Sequence, residues 1–214
     1  MGWRNRDQAG KRGYHHGNLR EALVAAALSL IAEKGPAGFT FAEAARKAGV
    51  SPAAPYRHFR DRDALMADVA RAAFERFEAA LLAAWNNGAP SAIDALYRLG
   101  RAYLAFAREQ PALYAAMFES GSPAGAYPDV ELASERAFAV LRQACEAVVA
   151  AVAPKSRPPA LMMALHIWSL AHGVASLYAR GDRARRPIPM SPEDLLESAT
   201  IIYLQGLGLI PPAA

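Results

Sequence analysis

The stretch TFAEAARKAGVSPAAPYRHFRDRDAL, residues 40–65, decides how the rest of the chain is read. Thr40 is a helix-capping residue and Glu43 follows three positions on, the two halves of a capping box, so a short helix is expected over 41–48. Gly49 ends it, at a point where the backbone must turn left-handed. Ser51 is a second capping residue, Pro52 occupies the first helical position, and a further short helix is expected over 52–59. A short helix, a glycine-led turn and a second short helix make a helix-turn-helix. Phe41, Ala44, Ala45 and Val50 are apolar or small, as steep packing of the pair requires, and the second helix then projects far enough to enter a DNA major groove. Tyr56, Arg57 and His58 supply donors for phosphates and base edges. Arg62 opens the next helix, where the N-terminus favours anions. Pro55 goes against ordinary helix physics: it removes an amide donor and crowds the preceding carbonyl, so the second helix is expected to bend or start late.

Outward from this unit the pattern is helical throughout, and no segment alternates over strand length. A helix over 18–34, capped by Asn18 and striped by Leu19, Leu23, Ala26, Leu30 and Ile31, precedes it and stops at Gly35-Pro36. After it come helices over about 62–85, 92–109, 111–119, 129–152, 159–179 and 192–208, separated by Gly, Pro and Asn. The expectation is an all-α protein of nine helices: a three-helix head, residues 1–63, and a larger apolar bundle, residues 64–214.

Charge is placed unevenly. Residues 1–65 hold eleven Lys/Arg against six Asp/Glu, a net of +5, and the remainder holds thirteen against fourteen, a net of −1, which together give the +4 of the whole chain. A basic end on a near-neutral body is the electrostatic footprint of a nucleic-acid binder, although a solvated basic tail has the same composition. Cys145 is the lone cysteine and is expected to be a small buried apolar residue. The apolar run 158–179 approaches the length of a membrane span, but His166, Ser169, His172 and Ser176 interrupt it and fit a doubly buried helix better. No signal peptide is expected from the polar, basic start. Adjacent His15 and His16 lack a third ligand, so no metal or other cofactor is expected. There is no nucleophile–base pair or phosphate loop, so an enzyme is disfavoured.

From Tyr14 to Leu65 the chain resembles the tetracycline-repressor (TetR) family of transcriptional regulators. The resemblance rests on the first helix ending at Gly35, on Thr40, on AARKAGVS, on Tyr56-Arg57-His58-Phe59 and on Ala64-Leu65. It implies a nine-helix fold, a homodimer, double-stranded operator DNA as partner and a ligand-binding C-terminal body. It further implies that Thr40 and Ser51 meet phosphates, that Ala53 and Ala54 face base edges, and that Tyr56 and His58 touch phosphates. Arg57 then reaches a base or a phosphate, and Arg62 stands where the family commonly has lysine. With alanine at 53 and 54, base readout there would be apolar and favour thymine methyl groups. The arm containing Arg12, Tyr14, His15 and His16 is expected to lie along phosphates or enter the minor groove.

In the body, large polarizable residues point collectively to a pocket for a small apolar or aromatic effector, with Tyr103, Phe106, Met117, Phe118, Met162, Trp168 and His172 as candidate ligand contacts. For any one of them taken alone, ordinary core packing is the better explanation. Trp168 followed by His172-Gly173 resembles a branch of the family with that pattern in its regulatory domain. Four residues apart, Trp168 and His172 share a helix face, and His172 is expected to bond a ligand or a buried carbonyl. The last two helices are apolar on more than one side, and Leu161, Ala164, Leu165, Ala171, Ala175, Leu195, Ala199 and Ile202 are candidate contacts with a second copy. The expectation is a cytoplasmic repressor released from a palindromic operator by its effector; a DNA-binding regulator without an effector is the alternative.

Overall fold

The computed structural model describes residues 19–119, 125–153, 157–179 and 188–211, which fold into eight α-helices with no strand among the described residues. α1 (Leu19–Lys34) buries Leu23, Ala27, Leu30 and Ile31 and stops at Gly35, whose φ is +76° and whose N–H reaches the Ile31 carbonyl at 2.8 Å. Asn18, its expected cap, lies outside the described residues. α2 (Phe41–Lys47) begins with the expected capping box: the Glu43 N–H donates to Thr40 Oγ1 at 3.2 Å and the Thr40 N–H to Glu43 Oε2 at 2.8 Å. α3 (Arg62–Trp85) is capped by Asp61, which accepts from the Ala64 N–H at 2.8 Å, and ends where Asn86 turns left-handed at φ 43°. Arg98 closes that end by donating to the Ala84 and Ala89 carbonyls. α4 (Ala92–Glu109) and α8 (Pro192–Gly206) start under Ser91 and Ser191 caps; α5 (Pro111–Phe118), α6 (Pro128–Ala150) and α7 (Ala160–Ala179) complete the chain.

Among the described residues the helices number eight, against the nine expected. Residues 52–59 form no α-helix; only Ala54–Arg57 coil, as a 3-10 turn. Pro55 is the reason. It cannot supply the i→i−4 bond an α-helix needs there, and the chain uses tighter bonds instead: Ala54 N–H to Ser51 O at 3.0 Å and His58 N–H to Pro55 O at 2.9 Å. The cap of this turn is Ala53, with no side-chain hydrogen bond, so the capping role expected of Ser51 is corrected too.

Two apolar clusters organise the helices. The head cluster joins α1, α2 and Phe59 to the first turns of α3 through Leu65, Met66 and Val69, and takes Ala116 from α5. The body cluster starts further along α3, at Ala73, Phe74 and Phe77, and gathers α4, α5, α6, α7 and α8. α3 and α5 thus belong to both cores. Each fully buried leucine, such as Leu23 or Leu65, contributes about 1.5–3 kcal/mol. α7 is long and apolar enough to cross a membrane by length and composition alone, yet Met163, Ile167 and Val174 are buried in the body core. Cys145 is fully buried, and burial pushes its thiol up to about 12.

Candidate nucleic-acid interface and ligand cavity

α2 ends in a Schellman closure. The Val50 N–H reaches back to the Ala45 carbonyl at 3.0 Å and the Gly49 N–H to that of Arg46 at 3.1 Å, with Gly49 at φ +74°. The chain leaves this closure as an outward edge. Ser51, Pro52, Ala53, Tyr56, Arg57 and His58 are exposed, while Ala54 is half-buried. Two apolar anchors hold the edge from below: Pro55, fully buried, and Phe59, buried beneath the Arg20 guanidinium at 5.3 Å. Pro55 therefore costs an α-helical bond and supplies a peg. Tyr56 is 63% exposed, but its ring stands edge-on to Phe41 at 5.0 Å, which fixes its direction.

Charge on this face is partly committed. Lys34 pairs with Glu43 at 2.7 Å, and Arg60 with Asp61 at 2.8 Å. The bond from Lys34, followed by those from Thr40, holds the Glu43 carboxyl down to about 2. Arg62 is turned inward: it donates to the Phe39 carbonyl at 3.0 Å and to that of Pro36, and lies over the Phe39 ring at 4.7 Å. It clasps the α1–α2 loop. Thr40 spends its hydroxyl on the capping box, and Asp61 occupies the N-terminus of α3, so that terminus offers little to an anion. Arg57 and Arg46 form no ion pair among the described residues. Arg46, exposed at the end of α2, was not singled out from sequence; its signal there is only a basic residue in a last helical turn.

The body holds a cavity of about 290 Å³ between α3, α4, α6 and α7, with Phe118 of α5 reaching into its wall. Of the candidate ligand contacts, Tyr103, Phe118 and Trp168 line it. The other four do not. Phe106 packs on Phe77 at 5.0 Å, Met117 is buried in the core, and Met162 faces outward on α7. His172 lies behind the wall. Its Nδ1 is 3.0 Å from the Tyr103 hydroxyl and 2.9 Å from that of Tyr114, and its ring stacks on Tyr114. Among the described residues it meets two tyrosine hydroxyls: one turn beyond Trp168, it reaches α4 and α5. Burial, then Tyr114, raises the Tyr103 hydroxyl well above the ordinary tyrosine range, so it stays protonated. Phe74, Phe77 and Phe138, which also line the cavity, carry no sequence mark separating them from core residues. Among the described residues no group of three metal-ligating side chains converges.

Two family profiles match this arrangement. Residues 23–69 match the bacterial regulatory proteins of the tetR family, and residues 96–200 match the tetracyclin repressor-like C-terminal domain. The chain belongs to the TetR family. The C-terminal match is coarser than the branch that the Trp168 and His172-Gly173 pattern resembles. Solved structures share the fold. A protein of unknown function from a Rhodococcus species is 31% identical, with a TM-score of 0.77 over 92% of this chain and 98% of that one. The TetR family transcriptional regulator PfmR from Thermus thermophilus, at 20% identity, shares the fold, with a TM-score of 0.64 over 86% of this chain and 97% of its own. The fatty acid degradation regulator FadR from Bacillus halodurans does so at 14% identity, with a TM-score of 0.67 over 91% and 97%. No curated protein matches the chain.

The remaining TetR-derived expectations divide. Arg12, Tyr14, His15 and His16 lie outside the described residues. Among the candidate contacts with a second copy, Leu161 and Leu165 on α7 are 52% and 44% exposed, and Ile202 on α8 is 68% exposed. Leu195 and Ala199 beside it are half-buried. Ala164, Ala171 and Ala175 are corrected: they are 0%, 3% and 4% exposed. Spaced seven and four residues apart, they share the α7 face that packs into the monomer core, next to the stripe that carries the leucines.

Proposed function

We propose that this TetR-family protein is a cytoplasmic transcriptional repressor that binds a palindromic operator as a homodimer and is released by a small-molecule effector. The observation that carries the reading is the outward edge from Ser51 to His58, pegged by Pro55 and Phe59. Arg57, and Arg46 at the end of α2, supply charge for phosphates, and Ser51, Tyr56 and His58 supply hydrogen bonds. Ala53 and Ala54 present methyl groups to the bases. Thr40 acts through its cap rather than its hydroxyl, and Arg62 acts by holding the head's loop. The arm with Arg12, Tyr14, His15 and His16 adds phosphate or minor-groove contacts.

The second copy docks on the exposed apolar faces of α7 and α8, around Leu161, Leu165 and Ile202, and the two heads then meet half-sites one turn apart. Residues 1–63 act as the reading head and 64–214 as the sensing and dimerising body. Release follows from two shared helices. Phe118 of α5 touches the cavity while Ala116, two residues earlier, sits in the head's core; Phe74 and Phe77 of α3 line the cavity while Leu65 and Val69 hold the head. A ligand that fits only when α5 shifts moves the heads and weakens operator binding by its differential affinity. The test is an operator mobility-shift titration with a ligand known by calorimetry to occupy the cavity. Loss of the shifted band as the cavity fills is expected. An unchanged band at saturation would replace this reading with a regulator that has no effector.

A further inference from the structure

The cavity wall narrows what can occupy it. Six aromatic rings line it, from Phe74, Phe77, Tyr103, Phe118, Phe138 and Trp168. They meet at steep angles: Phe77 stands edge-on to Tyr103 at 5.2 Å, and Phe138 to Trp168 at 6.5 Å. Aromatic rings therefore enclose the space from several sides, and the face of an aromatic ring, the negative part of its quadrupole, attracts a cation. The one charged side chain in the wall is a carboxylate, Glu135, on the exposed side of α6. No Lys, Arg or His is among the described residues of the lining. The arginines nearest to Glu135 in sequence are committed elsewhere: Arg136 pairs with Glu78 at 3.0 Å and Arg142 with Glu146 at 3.7 Å. Glu135 itself has no ion pair among the described residues. An anionic ligand would lose its hydration here and meet only a like charge; a cation would meet a wall of aromatic rings and a carboxylate with no ion pair among the described residues. At about 290 Å³ the space lies at the low end of ligand sites, which run roughly 300–1,000 Å³.

We propose that the cavity selects a compact hydrophobic cation, such as an aromatic amine or quaternary ammonium of one ring system, with its charged head beside Glu135, and excludes carboxylates of the same size. This deepens the effector reading and rests on the cavity being the effector site.

The test uses three probes of nearly one shape on the full chain without DNA: benzyltrimethylammonium, its neutral carbon isostere neopentylbenzene, and 3-phenylpropionate. Binding is read by calorimetry and by tryptophan fluorescence, Trp168 being in the wall. Benzyltrimethylammonium is expected to bind roughly fivefold or more tighter than neopentylbenzene, and 3-phenylpropionate weakest. Glu135→Gln, a change at an exposed position, is expected to erase most of the cation preference and leave neopentylbenzene binding unchanged. Leu141→Trp, which fills the wall, is expected to weaken the probes that bind wild type. A neutral probe that binds as tightly as the cation, a preferred anion, a preference that survives Glu135→Gln, or no binding by any probe overturns the proposal. A cation that binds as expected but leaves operator DNA bound refutes the release mechanism and leaves the ligand class standing.

Discussion

Asp68 is the buried charge that ties the reading head to the long helix behind it, and removing it has a calculable consequence. Its carboxylate is 7% exposed and accepts from Arg20 Nε at 2.8 Å and Nη2 at 2.9 Å, and from Arg71 Nη2 at 3.1 Å. Arg20 belongs to α1 in the head and Arg71 to α3. Burial by itself would raise the Asp68 pKa, but the hydrogen bonds from Arg20 and Arg71 outweigh it and hold the carboxyl below the ordinary aspartate range. Breaking a fully buried pair costs about 3–5 kcal/mol. Here both arginines keep solvent access, at 55% and 34%, so they rehydrate when the carboxylate is lost. Asp68→Asn is therefore expected to cost about 2 kcal/mol at neutral pH. For a chain of this size that lowers Tm by about 4–8 °C.

The pH dependence gives a sharper test. A carboxyl depressed in the folded state stabilises above its unfolded pKa and loses that stabilisation as pH falls through the folded value. The gap between wild type and Asp68→Asn in urea unfolding is expected to be full at neutral pH and to shrink below the ordinary aspartate range. A gap under about 0.5 kcal/mol at neutral pH, within the ordinary scatter of surface substitutions, or one that does not close in acid, would refute the reasoning.

Other outcomes follow from single positions. Gly49→Ala puts a Cβ at φ +74° with nothing within 4 Å of it, so the cost is backbone strain alone, about 1–2 kcal/mol in thermal unfolding; no loss would mean the turn is not left-handed in solution. Thr40→Ala is expected to cost about 1 kcal/mol in the same assay through the lost cap. Ile202→Asp, at the most exposed large aliphatic position of α8, is expected to leave the monomer folded by circular dichroism and to abolish the dimer in sedimentation velocity. A surviving dimer would move the interface elsewhere.

How much of this was legible depended on whether a local signal had one physical meaning. Thr40 with Glu43 and the left-handed Gly35 and Gly49 mark helix ends by backbone chemistry that tertiary packing seldom overrides, and the borders fall within a residue or two of where these place them. Pro55 was legible as a disturbance but not in its outcome. Whether a proline bends a helix or replaces it depends on the pocket that receives its ring, which lies among residues distant in sequence. The alanines of α7 were misplaced for a different reason: Ala164, Ala171 and Ala175 are small and apolar, which suits a monomer core and a close dimer contact alike, whereas Leu161, 52% exposed, is too large to leave that choice open. The cavity resisted most. Tyr103, Phe118 and Trp168 line it while Phe106 and Met117 pack beside it, and what separates the two groups is which side of a helix faces empty space. His172 bonds two tyrosines from other helices, partners that no spacing on its own helix reveals.

The central claim is that the edge from Ser51 to His58 lies against duplex DNA. Fluorescence anisotropy on a duplex selected from random sequence, titrated with salt, tests it most directly. Wild type is expected to bind with an affinity that falls log-linearly as salt rises. Arg57→Ala is expected to weaken it and flatten the log–log slope by about one. Arg101→Ala, which removes a surface pair with Glu197 on the body, is expected to change neither affinity nor slope. No binding to any duplex at low salt, or an Arg57→Ala protein indistinguishable from wild type, would contradict it.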